Sequence, residues 1–271
     1  MYSLLLLIIS VGAGFLGSLL GLGGGIIVVP VLTLFFGVDI RYAVAASLIS
    51  IIATSSGAAA SFLKDHLTNL RVAILLELGT VAGAMAGFLI SGVMKTNWLF
   101  LLFGFFLLFS SWSMFRRKGD SHSDVDHSWS QKLKLAGQFH DENGKLITYK
   151  VASVPLGLFS MFFAGVLSAL LGIGSGIFKV MAMDGAMKLP MKVSSATSNF
   201  MIGVTAAASA GAYLLRGDIR PEIAAPVALG IIIGAWSGAK VMPRMPAARI
   251  RKIFVVVLVI VSVQMIIRGL K

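Results

Sequence analysis

Two glycine-rich breaks in apolar segments are the residues of this chain best suited to bind a ligand. One runs from Gly21 to Gly25, and the other runs from Gly172 to Gly176, 151 residues further along. A helix that restarts after such a break presents unpaired backbone N–H groups and the positive end of its dipole. Because glycine has no side chain, an anion can contact these groups directly. We therefore predict that a small oxyanion binds at Gly23, Gly24, Gly25, Gly174, Ser175 and Gly176. The alternative is that these glycines only permit close helix packing.

A lysine stands in an apolar run about one turn after the second break. An ionised side chain at membrane depth costs about 3 kcal/mol or more, so Lys179 is a functional candidate whose ammonium would add a full charge to the anion site. The alternative is that Lys179 extends its ammonium to the membrane interface. The first half has Val28 at the equivalent position, which predicts an asymmetric site. Glu77 is the acid well inside a predicted span, and it is a candidate for carrying a coupling proton or for lying at the interface beside Arg71.

Hydroxyl and amide side chains follow each break. Their oxygens and nitrogens can replace water around a sulfite, sulfonate or carboxylate group, or they can simply bridge helices. The candidates for contact with the substrate are Ser47, Thr197, Ser198 and Asn199.

The elements that position these residues are transmembrane helices. The mean hydropathy is +0.92, and only 13% of the residues are charged, against about 25% in soluble domains. About 20 helical residues cross a bilayer core. The apolar blocks predict helices over 3–20, 25–36, 43–63, 71–93, 97–115, 152–170, 176–187, 193–215, 221–239 and 250–268. The chain has no cysteine, which excludes disulfides and thiolate sites.

The two halves of the chain are related by an internal duplication. Glycines at 79, 83 and 87 recur at 230, 234 and 238, again 151 residues apart, and their spacing is typical of tightly packed helices. If the halves have inverted topology, most loop lysines and arginines fall on one side of the membrane. The other side then holds Arg41, Lys95, Arg216, Arg220, Arg268 and Lys271. Since cytoplasmic loops carry the excess of Lys and Arg, the inverted arrangement is favoured.

These patterns predict an all-α polytopic membrane protein built from two inverted-topology repeats. Each repeat opens with a glycine-broken helix, re-entrant or paired, followed by three transmembrane helices. The repeats are predicted at 1–115 and 151–271, joined by a cytoplasmic linker at 116–150. Asn143-Gly144 within that linker indicates a β-hairpin. His122, His127 and His140 match no metal motif in their spacing, so neither a metal nor a cofactor is predicted.

The residues around both breaks resemble a known family. Gly172 to Phe178, followed by Leu189-Pro190-Met191-Lys192 and Ala196-Thr197-Ser198, is similar to the second-half signature of TauE/SafE-type sulfite exporters. The run from Gly21 to Pro30 resembles the matching first-half signature. Ser175, Lys179 and Met181 depart from the pattern. The resemblance covers most of the chain outside 116–150 and implies transport of sulfite, sulfoacetate or a related organosulfonate.

The predicted function is therefore secondary transport of a small sulfur-containing anion by alternating access, with no enzymatic activity. Export is favoured because an inside-negative potential drives anions outward. The predicted partners are the anion and the lipid bilayer of a bacterial inner membrane. Nucleic acid is not expected, because the basic residues responsible for the net charge of +12 flank the membrane spans. The alternatives are a passive anion channel, proton-coupled uptake of a sulfur or carboxylate anion, and an intramembrane hydrolase using Ser175 and Lys179. No oligomeric state follows from the sequence.

Overall fold

A computed structural model describes residues 2–18, 25–64, 67–116, 128–140, 146–241 and 247–270, and these are mostly helical. The first half contains α1 (Tyr2–Ser18), α2 (Gly25–Phe35), α3 (Ile40–Lys64), α4 (Leu70–Val93) and α5 (Thr96–Arg116). A short helix α6 (Ser128–Lys132) follows. The second half contains α7 (Val154–Leu171), α8 (Gly176–Met181), a π-helical turn (Ala182–Ala186), α9 (Met191–Arg216), α10 (Pro221–Val241) and α11 (Ala247–Leu270). The described helix ends lie within three residues of those predicted, except that the helix predicted over 176–187 ends at Met181 and continues as the π-helical turn. Neither that turn nor α6 was predicted.

Within the described residues, four helices are long and apolar enough to cross a bilayer, over Ile40–Gly57, Leu70–Val93, Val154–Leu171 and Met191–Arg216. Large apolar side chains such as Leu78, Leu89 and Phe159 lie on the outer surface, whereas serines, threonines, Glu77 and Lys179 are buried. An apolar exterior around a polar interior is the pattern expected of a protein surrounded by lipid. The predicted all-helical membrane protein is confirmed at this level.

Two pairs of helices pack at backbone contact, and they are equivalent through the 151-residue duplication. A Cβ on Gly83 of α4 would collide with the carbonyl oxygen of Phe162 on α7. Likewise, a Cβ on Gly234 of α10 would collide with the carbonyl oxygen of Val11 on α1. The packing role predicted for the small residues of α4 and α10 is therefore confirmed.

The segment between the halves contains an antiparallel β-hairpin. Strand β1 (Gly137–His140) pairs with β2 (Leu146–Tyr149), and Phe139 lies opposite Ile147. The predicted turn at Asn143-Gly144 lies outside the described residues, as do His122 and His127.

The hairpin packs against the helices through Asn69, which caps the N-terminus of α4. The Asn69 side chain accepts a hydrogen bond from the backbone N–H of Val72, and its amide nitrogen donates to Leu135 O and to Tyr149 Oη. Burial raises the pKa of the Tyr149 phenol above its usual value, and the hydrogen bond from Asn69 offsets part of that rise. Phe139 and Leu135 belong to the same buried apolar cluster as Val72. The linker is thus joined to the helices by a packed core.

Candidate functional site

The second glycine break is a short left-handed segment between two helices. Helix α7 ends at Leu171, and the backbone then has positive φ at Gly172 (64°), Gly174 (67°) and Ser175 (50°) before α8 begins at Gly176. The first hydrogen bond of α8 joins Lys179 N–H to Ser175 O at 3.1 Å. The N–H groups of the three residues before Lys179 therefore have no acceptor within the helix. Glycine tolerates positive φ, but Ser175 adopts it at a cost, which marks the position as constrained.

The N-terminus of α2 lies against this second break. Gly23 and Gly24 lie outside the described residues, but Gly25 begins α2. A Cβ on Gly25 would lie 2.8 Å from the carbonyl oxygen of Gly172 and 2.9 Å from Ser47 Oγ. Only glycine fits at this contact. Segments far apart in sequence thus meet at one point in the fold.

Two serines at equivalent positions contact the second break from opposite halves. Ser47 Oγ on α3 donates to Gly172 O at 2.6 Å, and Ser198 Oγ on α9 donates to Gly176 O at 3.2 Å. Both side chains are buried. In this conformation both hydroxyls donate their protons to backbone carbonyls of the break. Each hydroxyl oxygen can still accept a hydrogen bond.

Two isoleucines, also at equivalent positions, fill the space beside the glycines. A Cβ on Gly25 would lie 2.6 Å from Ile51 Cδ1, and a Cβ on Gly174 would lie 2.6 Å from Ile202 Cγ2. Both isoleucines are buried. We did not identify these residues from the sequence, although the 151-residue offset that relates them was visible there.

Thr197 and Asn199 are engaged in hydrogen bonds to other segments. Thr197 Oγ1 accepts a 3.0 Å bond from the backbone N–H of Asn69. Asn199 Nδ2 donates to Ser195 O at 3.0 Å, and the backbone carbonyl of Asn199 accepts a hydrogen bond from Ser55 Oγ. The described contacts of these two residues therefore join α9 to the N-terminus of α4 and to α3.

Lys179 is fully buried and paired with Glu77. Its ammonium donates to Thr205 Oγ1 at 2.5 Å and lies 3.8 Å from Glu77 Oε2, with 0% of the Lys179 side chain exposed. Thr205 Oγ1 lies 2.5 Å from Glu77 Oε1, and Thr80 Oγ1 donates to Glu77 Oε2 at 2.7 Å. The Lys179 ammonium is therefore directed at Glu77 and not at the protein surface, and the described partners of Glu77 are Lys179, Thr205 and Thr80. A charge buried at this depth needs an opposite charge, and Glu77 supplies it.

Ser175 carries a buried hydroxyl with no hydrogen-bond partner among the described residues. It stands at the end of the break, directly before the free N–H groups of α8. Buried polar atoms are nearly always satisfied, so an unpartnered one indicates a bound water or ligand. The Lys179 ammonium is bound to Thr205 and Glu77, and it is not in a position to act as the base for Ser175.

The fold and this site define the class of the protein. A mostly helical chain with several apolar spans encloses buried charges and a non-helical segment between two of its helices. Irregular backbone and ionised groups at membrane depth are features of membrane transport proteins.

The chain belongs to the TauE/SafE sulfite exporter family, whose model matches residues 6–265. The predicted family is confirmed. The chain is 28% identical to a Bacillus subtilis protein named "Probable membrane transporter protein YunE", over 98% of both chains. It is 27% identical to "Probable membrane transporter protein MJ0441" of Methanocaldococcus jannaschii, over 91% of this chain and 89% of that protein. It is 23% identical to "Probable membrane transporter protein YdhB" of Bacillus subtilis, over 90% of this chain and 91% of that protein. No solved structure matches the chain.

Proposed function

We propose that the protein is a secondary transporter that exports a small sulfur-containing oxyanion by alternating access. The anion binds between the N-termini of α2 and α8. The observation that carries the proposal is the contact of Gly25, the first residue of α2, with the break that precedes α8. The positive ends of α2 and α8, the N–H groups of α8 that have no acceptor within the helix, and the Ser175 hydroxyl, which has no partner among the described residues, all favour an anion near this contact.

The alternating-access mechanism is supported by the directions of the helices. Along α4, Gly79, Gly83 and Gly87 meet α7 at Leu158, Phe162 and Val166 in turn, so these helices run parallel. Along α10, Gly230 and Gly234 meet α1 at Leu7 and Val11, so this pair is also parallel.

Helix α9 follows α4 in the same direction, since Thr205 meets Glu77 and Tyr213 meets Ser91. A connection of four residues, which begins with the turn at Gly217, joins α9 to α10. Because this connection is short, we infer that α10 runs back across the membrane. With α10 reversed, α1 runs opposite to its equivalent α7. Such inverted repeats are typical of transporters that rock around a central site.

A sulfur oxyanion is the substrate class that best combines the family with the site. The family is described as sulfite exporters, and sulfite or sulfonate oxygens accept hydrogen bonds from backbone N–H groups. A Cβ built on Gly25 would lie within 3 Å of Gly172 O and Ser47 Oγ, so the space beside Gly25 is narrow and favours a small ligand. Sulfite and organosulfonates such as sulfoacetate meet both conditions.

Outward transport is supported by energetics and by charge. An inside-negative potential favours anion export by about 2.3 kcal/mol per charge per 100 mV. The excess of loop Lys and Arg on the linker side supports a cytoplasmic linker at 116–150. The filled space around Ile51 and Ile202 favours a gated transporter over a permanently open channel.

A ligand screen tests the proposed substrate class. The purified protein in detergent is heated with sulfite, sulfoacetate, isethionate, taurine, thiosulfate and acetate, and its melting temperature is recorded. A ligand present at 100 times its Kd stabilises the folded state by about 2.7 kcal/mol, so at least one sulfur oxyanion should raise the melting temperature. Stabilisation by acetate alone, or by none of these anions, would contradict the proposal.

A further inference from the structure

We propose that Glu77 is a proton-binding site and that its protonation releases Lys179 to bind the transported anion. This inference rests on the proposed function. It adds a proton as a second transported species, with Glu77 as its carrier.

The Lys179 side chain begins beside the break but ends away from it. Its backbone N–H bonds to Ser175 O in the first turn of α8. Its ammonium, however, lies at Thr205, seven residues and about two helical turns beyond Ser198, which contacts the break. While Glu77 is ionised, the ammonium is therefore held at the carboxylate.

Charge balance then links the proton to the anion. Ionised Glu77 and Lys179 are neutral together, so adding an oxyanion leaves one uncompensated negative charge in a buried site. A proton on Glu77 removes the carboxylate charge, and the anion becomes the counterion of Lys179. An O–H bond forms on the Glu77 carboxyl group, and the ion pair of Glu77 with Lys179 is replaced by an ion pair of the anion with Lys179. No other group changes its protonation state. Each ligand consequently strengthens the binding of the other.

No other charged group competes for this role in the described surroundings of Glu77. Helix α7 carries no ionisable side chain, and Arg71 on α4 donates to the backbone of Lys134. The remaining ionisable groups on α9 and on the π-helical turn are Lys192, Tyr213, Arg216 and Asp184. Tyr213 donates to Ala169 O and Arg216 pairs with Asp218, whereas the described partners of Glu77 are Lys179, Thr205 and Thr80.

Two buried hydroxyls further along α7 and α9 have no partner among the described residues. Ser209 lies one turn beyond Thr205, and its buried hydroxyl has no partner among the described residues. Ser168 on α7 is in the same state, next to Ala169, whose carbonyl accepts a 2.9 Å bond from Tyr213 Oη. Buried hydroxyls without a protein partner are typical sites of bound water.

The coupling changes the driving force for transport. A monoanion that moves with one proton carries no net charge across the membrane, so the membrane potential neither drives nor opposes it. With this coupling, export is driven by an outward concentration gradient of the anion and by the pH difference, and no longer by the membrane potential.

Calorimetry with isethionate tests the inference. Isethionate is the anion of a strong acid, so it does not itself exchange protons near neutral pH as sulfite does. Binding to the wild-type protein in detergent is measured in buffers of different ionisation enthalpy. We expect uptake of about one proton per anion and an affinity that falls as the pH rises, by up to tenfold per pH unit. Glu77→Gln should bind isethionate without proton uptake and without this pH dependence. Glu222→Gln, which alters an exposed carboxylate on α10, should behave as the wild type.

Three results separate the possible failures. Binding to the wild type without proton uptake overturns this inference and leaves the proposed function intact. Proton uptake that persists in Glu77→Gln also overturns it. Stabilisation by none of the sulfur oxyanions in the melting screen overturns the proposed function and this inference with it.

If Glu77→Gln does not fold, infrared difference spectra of the wild type decide. Isethionate should produce the band of a protonated carboxylic acid, and its absence would overturn the inference.

Discussion

At the scale of single residues, the buried pair of Glu77 and Lys179 makes the clearest statement about stability. Removing Lys179 alone leaves the carboxylate of Glu77 buried without its counter-charge. Breaking a buried ion pair in this way typically costs about 3–5 kcal/mol.

Lys179→Met should therefore lower the thermal stability of the protein in mild detergent, and the double variant Lys179→Met/Glu77→Gln should recover most of it. Melting curves of the wild type and both variants provide the measurement. Equal stability of the wild type and Lys179→Met at pH 7 and above would show that the pair is not a buried ion pair there.

The contact of Gly25 with the second break makes a second residue-scale prediction. Gly25→Ala places a methyl group 2.8 Å from Gly172 O and 2.6 Å from Ile51 Cδ1, so α2 and the break must separate. We expect at least a tenfold loss of sulfonate affinity in a folded protein. Gly12→Ala, where a Cβ meets nothing within 4 Å, is the matched control and should bind normally. If Gly25→Ala binds sulfonate with wild-type affinity, the contact of Gly25 with the second break is not part of the binding site.

The residue scale is also where the sequence alone was least informative. Lys179 and Glu77 were both identified as candidates, but 102 positions separate them, and only the fold brings them together. Ser47 and Ser198 were identified for their hydroxyls, whereas Ile51 and Ile202, one turn further on, were not, because isoleucine in a transmembrane helix is unremarkable. Polarity marks a candidate residue in a sequence, but an apolar site wall carries no such mark.

At the scale of elements, most of the fold could be predicted. Helix ends follow from long apolar runs bounded by glycine, proline and charge, which is why the described ends, apart from that of α8, lie within three residues of the prediction. The π-helical turn from Ala182 to Ala186 could not be predicted, since the run continues as an ordinary apolar helix in the sequence. Likewise, the packing of the hairpin on Asn69 depends on tertiary contacts.

The parallel packing of α4 on α7 makes the prediction at this scale. A methyl group at Gly83 would collide with the Phe162 carbonyl, which belongs to the backbone and cannot rotate away. Gly83→Ala should therefore separate the helices and lower the melting temperature, whereas Gly211→Ala, with open space around its Cβ, should not. Comparable melting curves for the two variants would mean that α4 and α7 tolerate a wider separation. The same comparison applies to Gly234 on α10.

At the scale of the whole molecule, the proposed inverted topology is open to direct measurement. Arg71 and Glu222 occupy equivalent exposed positions in the first turns of α4 and α10, 151 residues apart. The chain has no cysteine, so single-cysteine variants need no prior substitution.

Inversion predicts that Arg71→Cys reacts with a membrane-impermeant thiol reagent only after the cells are opened, whereas Glu222→Cys reacts from outside. Labelling of both cysteines from the same side would show that the halves point the same way, and the convergence of two helix N-termini on one anion would then be lost. The inferred proton coupling rests on the buried pair and would be judged by its own experiment.

The central claim is that this protein carries a sulfonate across the membrane by alternating access, and counterflow in proteoliposomes tests it most directly. Vesicles loaded with unlabelled isethionate and diluted into a trace of labelled isethionate carry no imposed potential or pH difference. A carrier that returns more readily when loaded should accumulate label transiently above its equilibrium level, while acetate-loaded vesicles and those containing Gly25→Ala should not. Label that enters without this overshoot would indicate a channel, and entry no faster than into protein-free vesicles would contradict sulfonate transport altogether.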